Sequence, residues 1–356
     1  ALNLTAPAEA VAFYHQAVNL EPTPARRLGL GEALLVQGEL ETGLEQLHRA
    51  AAGFEEVEDC LGASRAYLAL GLSSMTSGQG EQVVRWAEKA LAILAAQPDA
   101  ANLARAHHLL AAGGLLAGYP LAEAEAHLVK AIRLTSENDL PELDSVGRFE
   151  LGNLLAQRGD LTAALVSYEQ ALSLAEASGG LFQRVLAHNN LAYHSILVGD
   201  LPTAWQQLES GLDLVEKHAL LVPRQYLYST SGEIALAEGN LAEAQTWFER
   251  ALAEAQRNGN QPQAANIRAN MGLVARERGD LDEALLLLEE ARAAITGLTA
   301  PHLQSQIDLW LAELHQLRGE QVAAKEALSE AEARLADGER QGLLAWANRV
   351  RASMAG

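Results

Sequence analysis

Small and apolar residues fall along this chain in a register that predicts helices. A glycine, a polar residue and a leucine interrupt that register at a fixed interval. Gly159-Asp160-Leu161, Gly199-Asp200-Leu201, Gly239-Asn240-Leu241 and Gly279-Asp280-Leu281 are the clearest copies. Weaker ones stand at Gly38-Glu39-Leu40, Gly78-Gln79-Gly80, Gly118-Tyr119-Pro120-Leu121 and Gly319-Glu320-Gln321. Successive glycines are 40, 40, 41, 40, 40, 40 and 40 residues apart. Glycine reaches the left-handed conformation that closes a helix, and Asp or Asn after it starts the next one. Asp280 with Glu283 and Asn240 with Glu243 have the spacing of a capping box. Each unit therefore reads as helix, tight turn, helix, with room for two helices of about 15–17 residues.

Two further columns keep step with the turn. Seven positions before each turn glycine stand Gly31, Gly71, Ala111, Gly152, Ala192, Gly232, Gly272 and Ala312. On the second helices stand Ala50, Ala90, Ala131, Ala171, Gly211, Ala251, Ala291 and Ala331. Columns of small residues let helix backbones approach closely, with bulky neighbours filling the space around the contact. Tyr168, Leu208, Phe248, Leu288 and Leu328, each three positions before a small residue, supply that bulk.

This pattern resembles the tetratricopeptide repeat. Gly152, Gly159, Asp160, Ala164, Tyr168 and Ala171 follow its signature in order, as do Gly232, Gly239, Ala244, Phe248 and Ala251. Two features depart from it: the period is 40 rather than 34, and Arg148, His188 and Arg268 stand near the place of the early aromatic of the first helix. The resemblance implies an all-α fold, a right-handed superhelical solenoid of about eight hairpins.

Residues 8–22 read as the second helix of a partial unit, with Ala10, Tyr14 and Ala17 in register and Pro22 ending it. Residues 24–338 read as eight helix pairs, and 339–354 as a C-terminal helix capping the exposed apolar face. The expectation is about 18 helices in one array, without a second domain. An array that starts halfway through a repeat suggests a piece of a longer protein.

Composition narrows the possibilities. The chain is 49% hydrophobic, with 67 alanines and 29 glycines, so it is foldable and rich in helix formers. Lys+Arg 26 against Asp+Glu 46 gives a net charge of −20, which argues against direct nucleic-acid binding. The single cysteine, Cys60, excludes an intrachain disulfide framework and any CxxC metal site, and is expected in an inter-repeat connection. No apolar run is long enough for a membrane span, and no basic segment opens the chain as a signal peptide does, so a cytoplasmic protein is expected.

Catalytic motifs are missing. No Gly-Lys dipeptide exists to build a P-loop, and HExxH, GxSxG and GxGxxG are absent. The pairs His107-His108 and His188/His194 invite a metal reading, but neither spacing puts both rings on one helix face. The reading is a non-enzyme without cofactor or metal. Tyr119-Pro120 and the connection Ser136 to Ser145 are either the edge of a binding site or ordinary loop drift.

Recognition is expected along the first helices, which line the inner wall of a curved stack. Columns ten and six positions before the turn glycine carry Leu68, His108, Asn153, Asn189, Tyr193, Ser229 and Glu233. Columns thirteen and three before it carry Arg65, Arg105, Tyr226, Asn266 and Arg276, with Asn190 and Asn270 flanking. The candidate groove is thus Arg65, Arg105, His108, Asn153, Asn189, Tyr193, Tyr226, Ser229, Asn266 and Arg276. Amides suit a peptide backbone or sugar, arginine an anion, and tyrosine offers a flat apolar face. The alternative is that these residues pair between neighbouring helices or face water. The arginines, set in an acidic molecule, favour an acidic or phosphorylated partner.

The length and number of repeats resemble the sensor domain of MalT-type regulators among signal-transducing (STAND) ATPases. That resemblance implies an inducer, peptide or partner protein in the groove, and a nucleotide-binding domain upstream. The alternatives are a stand-alone scaffold for a peptide or protein and a regulator resembling the Rap-type repeat proteins, which fits the period less well because those carry a distinct N-terminal bundle.

Overall fold

The computed structural model describes residues 7–298 and 300–355. Among them are eighteen α-helices and no strand, as the repeat register predicts. The chain divides into two compact units, Ala1–Leu143 and Asp144–Gly356.

The first unit contains α1 (Pro7–Leu20), α2 (Pro24–Gln37), α3 (Leu40–Glu56), α4 (Cys60–Thr76), α5 (Gly80–Leu94), α6 (Ala100–Ala117) and α7 (Leu121–Glu137). The second holds most of α8 (Pro141–Arg158), then α9 (Leu161–Ser178), α10 (Leu181–Leu197), α11 (Leu201–Lys217), α12 (Arg224–Ala237) and α13 (Leu241–Arg257). It continues with α14 (Gln261–Arg278), α15 (Leu281–Ala294), α16 (Pro301–Leu317), α17 (Gln321–Arg334) and α18 (Gln341–Ala355).

The turns work as the sequence implies. All eight turn glycines have positive φ, from 70° at Gly78 to 98° at Gly159. Asp160 and Asp200 accept hydrogen bonds from the Ala163 and Thr203 amides as helix caps, at 3.0 and 3.1 Å. The two expected capping boxes do not form. Neither Asn240 nor Asp280 caps with its side chain. The acids three positions on have other partners: Glu243 accepts from the Trp247 indole and Glu283 from Arg278.

The small columns face bulky partners within each hairpin. A β-carbon on Gly31 would lie 2.7 Å from Leu47, one on Gly232 2.6 Å from Phe248, and one on Gly272 3.1 Å from Leu288. These contacts bring the helices to backbone distance, and the facing residues Leu47, Tyr168, Phe248 and Leu288 are essentially inaccessible. At the end of the second unit, α18 buries Leu343, Ala347 and Val350 against the core of α16 and α17.

Within each unit, first helices of successive hairpins also touch one another: α2 with α4, α4 with α6, α10 with α12, α12 with α14, and α14 with α16. No two successive second helices pack to a comparable extent among the described residues. Closer spacing on one side bends each stack toward it, so the first helices form the inner wall.

Two local expectations differ. Cys60 is the first residue of α4, half-buried, because Asp59 caps that helix by accepting from Gly62 N at 2.8 Å. The connection expected across Ser136 to Ser145 shrinks to residues 138–140, since α7 runs to Glu137 and α8 starts at Pro141. Tyr119 turns back onto the preceding hairpin and donates to Glu81 at 3.0 Å.

Candidate binding groove

The first helices of the second unit carry a hydrogen-bonded ladder in two runs. On α8, Asn153 donates through Nδ2 to Glu150 at 3.0 Å. Its Oδ1 accepts from the Tyr168 hydroxyl of α9 and from Asn190 Nδ2 of α10, each at 2.8 Å. Asn190 Oδ1 accepts from Asn189 at 3.2 Å, and Asn189 Oδ1 accepts from Thr230 of α12 at 2.9 Å. Farther along, Glu233 of α12 accepts through Oε1 from Asn270 of α14 at 2.8 Å and from Ser229 at 3.5 Å.

This arrangement answers why mediocre helix formers crowd these helices. They bind neighbouring first helices to one another, and Asn189, Ser229, Thr230 and Asn270 are buried in doing so. Each amide Nδ2 in the ladder donates one hydrogen to these partners and carries a second. Asn153, Asn190, Tyr193, Glu233 and Asn266 are half-buried, so the ladder's edge meets the groove.

Burial dominates the electrostatics. It raises the Tyr193 phenol well above its ordinary value, and the charge of Glu233 adds to the effect. It pushes the Glu233 carboxyl up to about 8, against the hydrogen bonds from Asn270 and Ser229. Burial instead lowers the His194 imidazole, which bonds the Asn190 carbonyl through Nδ1 at 2.8 Å and packs against Tyr168.

The other sequence-derived candidates separate into distinct places. Tyr226, half-buried on α12, accepts from Asn260 at 3.0 Å. Arg276 is tied to Glu277 at 2.9 Å and Glu313 at 3.3 Å, beside a cleft of about 350 Å³ floored by Leu236 and Leu273. Its charge is neutralised, so the second unit has no positive strip there. In the first unit, Arg65 lines a cleft of about 450 Å³ with Tyr14, Glu32 and Asp59. Arg105 is exposed and donates to Asn102 at 3.2 Å, and His108 is half-buried on the same helix. Burial raises the Glu32 carboxyl despite the charges of Arg105 and Arg65.

Sequence reasoning missed the roles of Glu150, Tyr168 and Thr230. Glu150, Asn190, Thr230 and Asn270 share one column, nine positions before the turn glycine, and that shared polarity was the available signal. The histidines do not gather. His107 faces His127, with Nδ1 atoms 3.0 Å apart, while His188 bonds Gln207. Among the described residues no group of three or more His, Cys, Asp or Glu is placed to hold a metal. No described helix is long and apolar enough to cross a membrane.

Tetratricopeptide-repeat family models match residues 225–296 and 147–178, which include the ladder residues of α8, α12 and α14 but not those of α10. Those two segments match the tetratricopeptide repeat. Among curated proteins nothing matches. Solved structures share the fold at low identity. The Rap conjugation gene regulator of plasmid pLS20, in complex with the Phr* peptide, aligns with TM-score 0.67 and 16% identity, covering 93% of this chain and 95% of its own. NprR in complex with its cognate peptide NprX aligns with TM-score 0.58 and 15% identity, covering 84% and 93%. A STAND protein with a tetratricopeptide repeat sensor from Pyrococcus horikoshii aligns with TM-score 0.54 and 14% identity. That match covers 94% of this chain but 55% of the other. The stacked helix pairs thus resemble that sensor in fold.

Proposed function

We propose that this chain is a partner-binding repeat module that takes an extended peptide, or an exposed segment of a protein, along the first helices of its second unit. The ladder from Glu150 through Asn153, Asn190 and Asn189 to Thr230 carries the reading. It offers amide donors at intervals along an inner wall, which suits a chain of backbone carbonyls. Two solved neighbours of the same fold hold peptides, which supports this class of ligand. The likeness to a STAND repeat sensor supports a wider setting: an inducer-sensing part of a larger signalling or transcription regulator, with its nucleotide-binding domain outside these residues. A stand-alone peptide-binding scaffold is the alternative, favoured by the nearly full-length match to the plasmid regulator.

Selection of random heptapeptides on the chain tests the reading. Selected peptides carrying a photo-crosslinker should mark α10, α12 and α14. Crosslinks confined to the second helices α11 and α13 would refute it.

A further inference from the structure

Among the described residues, three acids of the second unit are buried, each with an arginine, and a fourth, half-buried, has none. Asp144 is held by Arg148 at 3.0 Å, Glu254 by Arg257 at 2.8 Å, and Asp308 by Arg334, with Arg292 3.9 Å away. Glu233 is the fourth. Its neighbours are Tyr193 from α10, Ser229 from its own helix and Asn270 from α14, and no basic group faces it among the described residues. Oε1 takes both hydrogen bonds, while Oε2 is out of solvent contact and has no hydrogen-bond partner. The residue as a whole is half-buried at the groove, and the terminal torsion of glutamate is soft, so Oε2 turns toward a ligand at the expense of the two bonds to Oε1.

We infer that the groove selects a peptide bearing an arginine or lysine side chain, which docks on Glu233 and supplies the counter-charge its three counterparts find within the fold. An unpartnered carboxylate oxygen away from water is costly, and a guanidinium or ammonium satisfies it with a charge-assisted bond. The inference rests on the peptide-binding reading and narrows it. It also reverses the sign expected from the groove arginines. Arg276 is already paired with Glu277 and Glu313, so it is not the group left to meet a ligand's charge.

Ionising a carboxyl held near 8 at pH 7 costs about a factor of ten, which the cation must recover. A cationic ligand therefore expels the proton and binds more tightly as pH rises. A carbonyl ligand accepting from the protonated acid would show the opposite slope.

The test selects random heptapeptides on the full chain and, in parallel, on Glu233→Gln, with the folding of both checked by thermal melts. The wild type should enrich Arg or Lys at one position about tenfold over the starting library. Glu233→Gln should still yield peptides but lose that preference. General attraction to an acidic protein cannot produce this difference, since the variant keeps −19 of the −20 net charge. The best wild-type peptide should bind about tenfold more tightly at pH 8.5 than at pH 6.5, and its citrulline counterpart about tenfold more weakly than the arginine form. Peptides without cationic preference, a preference kept by Glu233→Gln, or a flat or inverted pH slope overturn the inference and leave peptide binding standing. Failure to select any peptide overturns both.

Discussion

Gly152 and Tyr168 touch across the hairpin of α8 and α9: a β-carbon at position 152 would stand 2.5 Å from Cε1 of the tyrosine ring. The ring cannot retreat. It is fully buried, and its hydroxyl is bound to Asn153 at 2.8 Å, one residue along the same helix. The glycine is there because the ring passes over the helix backbone. Gly152→Ala should therefore lower stability by about 1–3 kcal/mol, and Gly152→Leu by at least as much. Circular dichroism melts check this, and a neutral result would show that the two helices do not meet through this column.

A different glycine effect appears where second helices end. Gly179 and Gly259 adopt φ of 76° and 65°, while Ala219, at the equivalent position between them, has φ of 51°. An alanine pays for its β-carbon in this region, though glycine costs the unfolded chain more entropy. Ala219→Gly should stabilise the protein by about 0.5–1 kcal/mol. Denaturant titration at constant m-value measures the difference.

The repeat, the turn chemistry and the close helix contacts were all legible from residue columns, because backbone geometry allows few alternatives there. Glycine at φ of 80° in Gly239 and Phe248 opposite Gly232 leave little else possible. The candidate groove was legible only as a surface. Asn153 and Asn189 lie on it, but the partners that hold them, Tyr168 and Thr230, come from other helices. Pairing across 15 residues depends on how the two helices of a hairpin face each other, and across 41 on how hairpins stack; a single-column reading contains neither. Arg276 shows the same limit, since its neutralisation by Glu313 spans 37 residues.

Glu233 gives the fold a pH dependence of defined sign. Its carboxyl is raised to about 8 in the folded chain against an ordinary 4.5. The folded state thus holds a proton that the unfolded state releases between these values. Stability from this group is intact below 4.5, falls as pH rises, and levels off above about 8. Glu233→Gln, which cannot ionise, lacks this slope. The melting temperature of the wild type relative to the variant should fall steadily from pH 5 to pH 8. A constant difference would mean that the carboxyl is ionised throughout.

Asn189 and Asn266 separate the two jobs of the inner wall. Asn189 is the acceptor for a buried Thr230 hydroxyl, so Asn189→Ala strands a donor away from water and should cost about 1–3 kcal/mol. Thr230→Val removes the stranded group, and the pair of substitutions together should cost less than their sum by about 0.5–2 kcal/mol. Asn266, half-buried on α14, lies outside this chain of bonds. Asn266→Ala should change stability by less than about 0.5 kcal/mol while weakening peptide binding. Asn189→Ala with Asn266→Ala should then weaken binding more than either alone, at unchanged helicity. If Asn266→Ala left binding of a selected peptide untouched, the recognition surface would stop at α12, and the ladder beyond it would serve only to join helices.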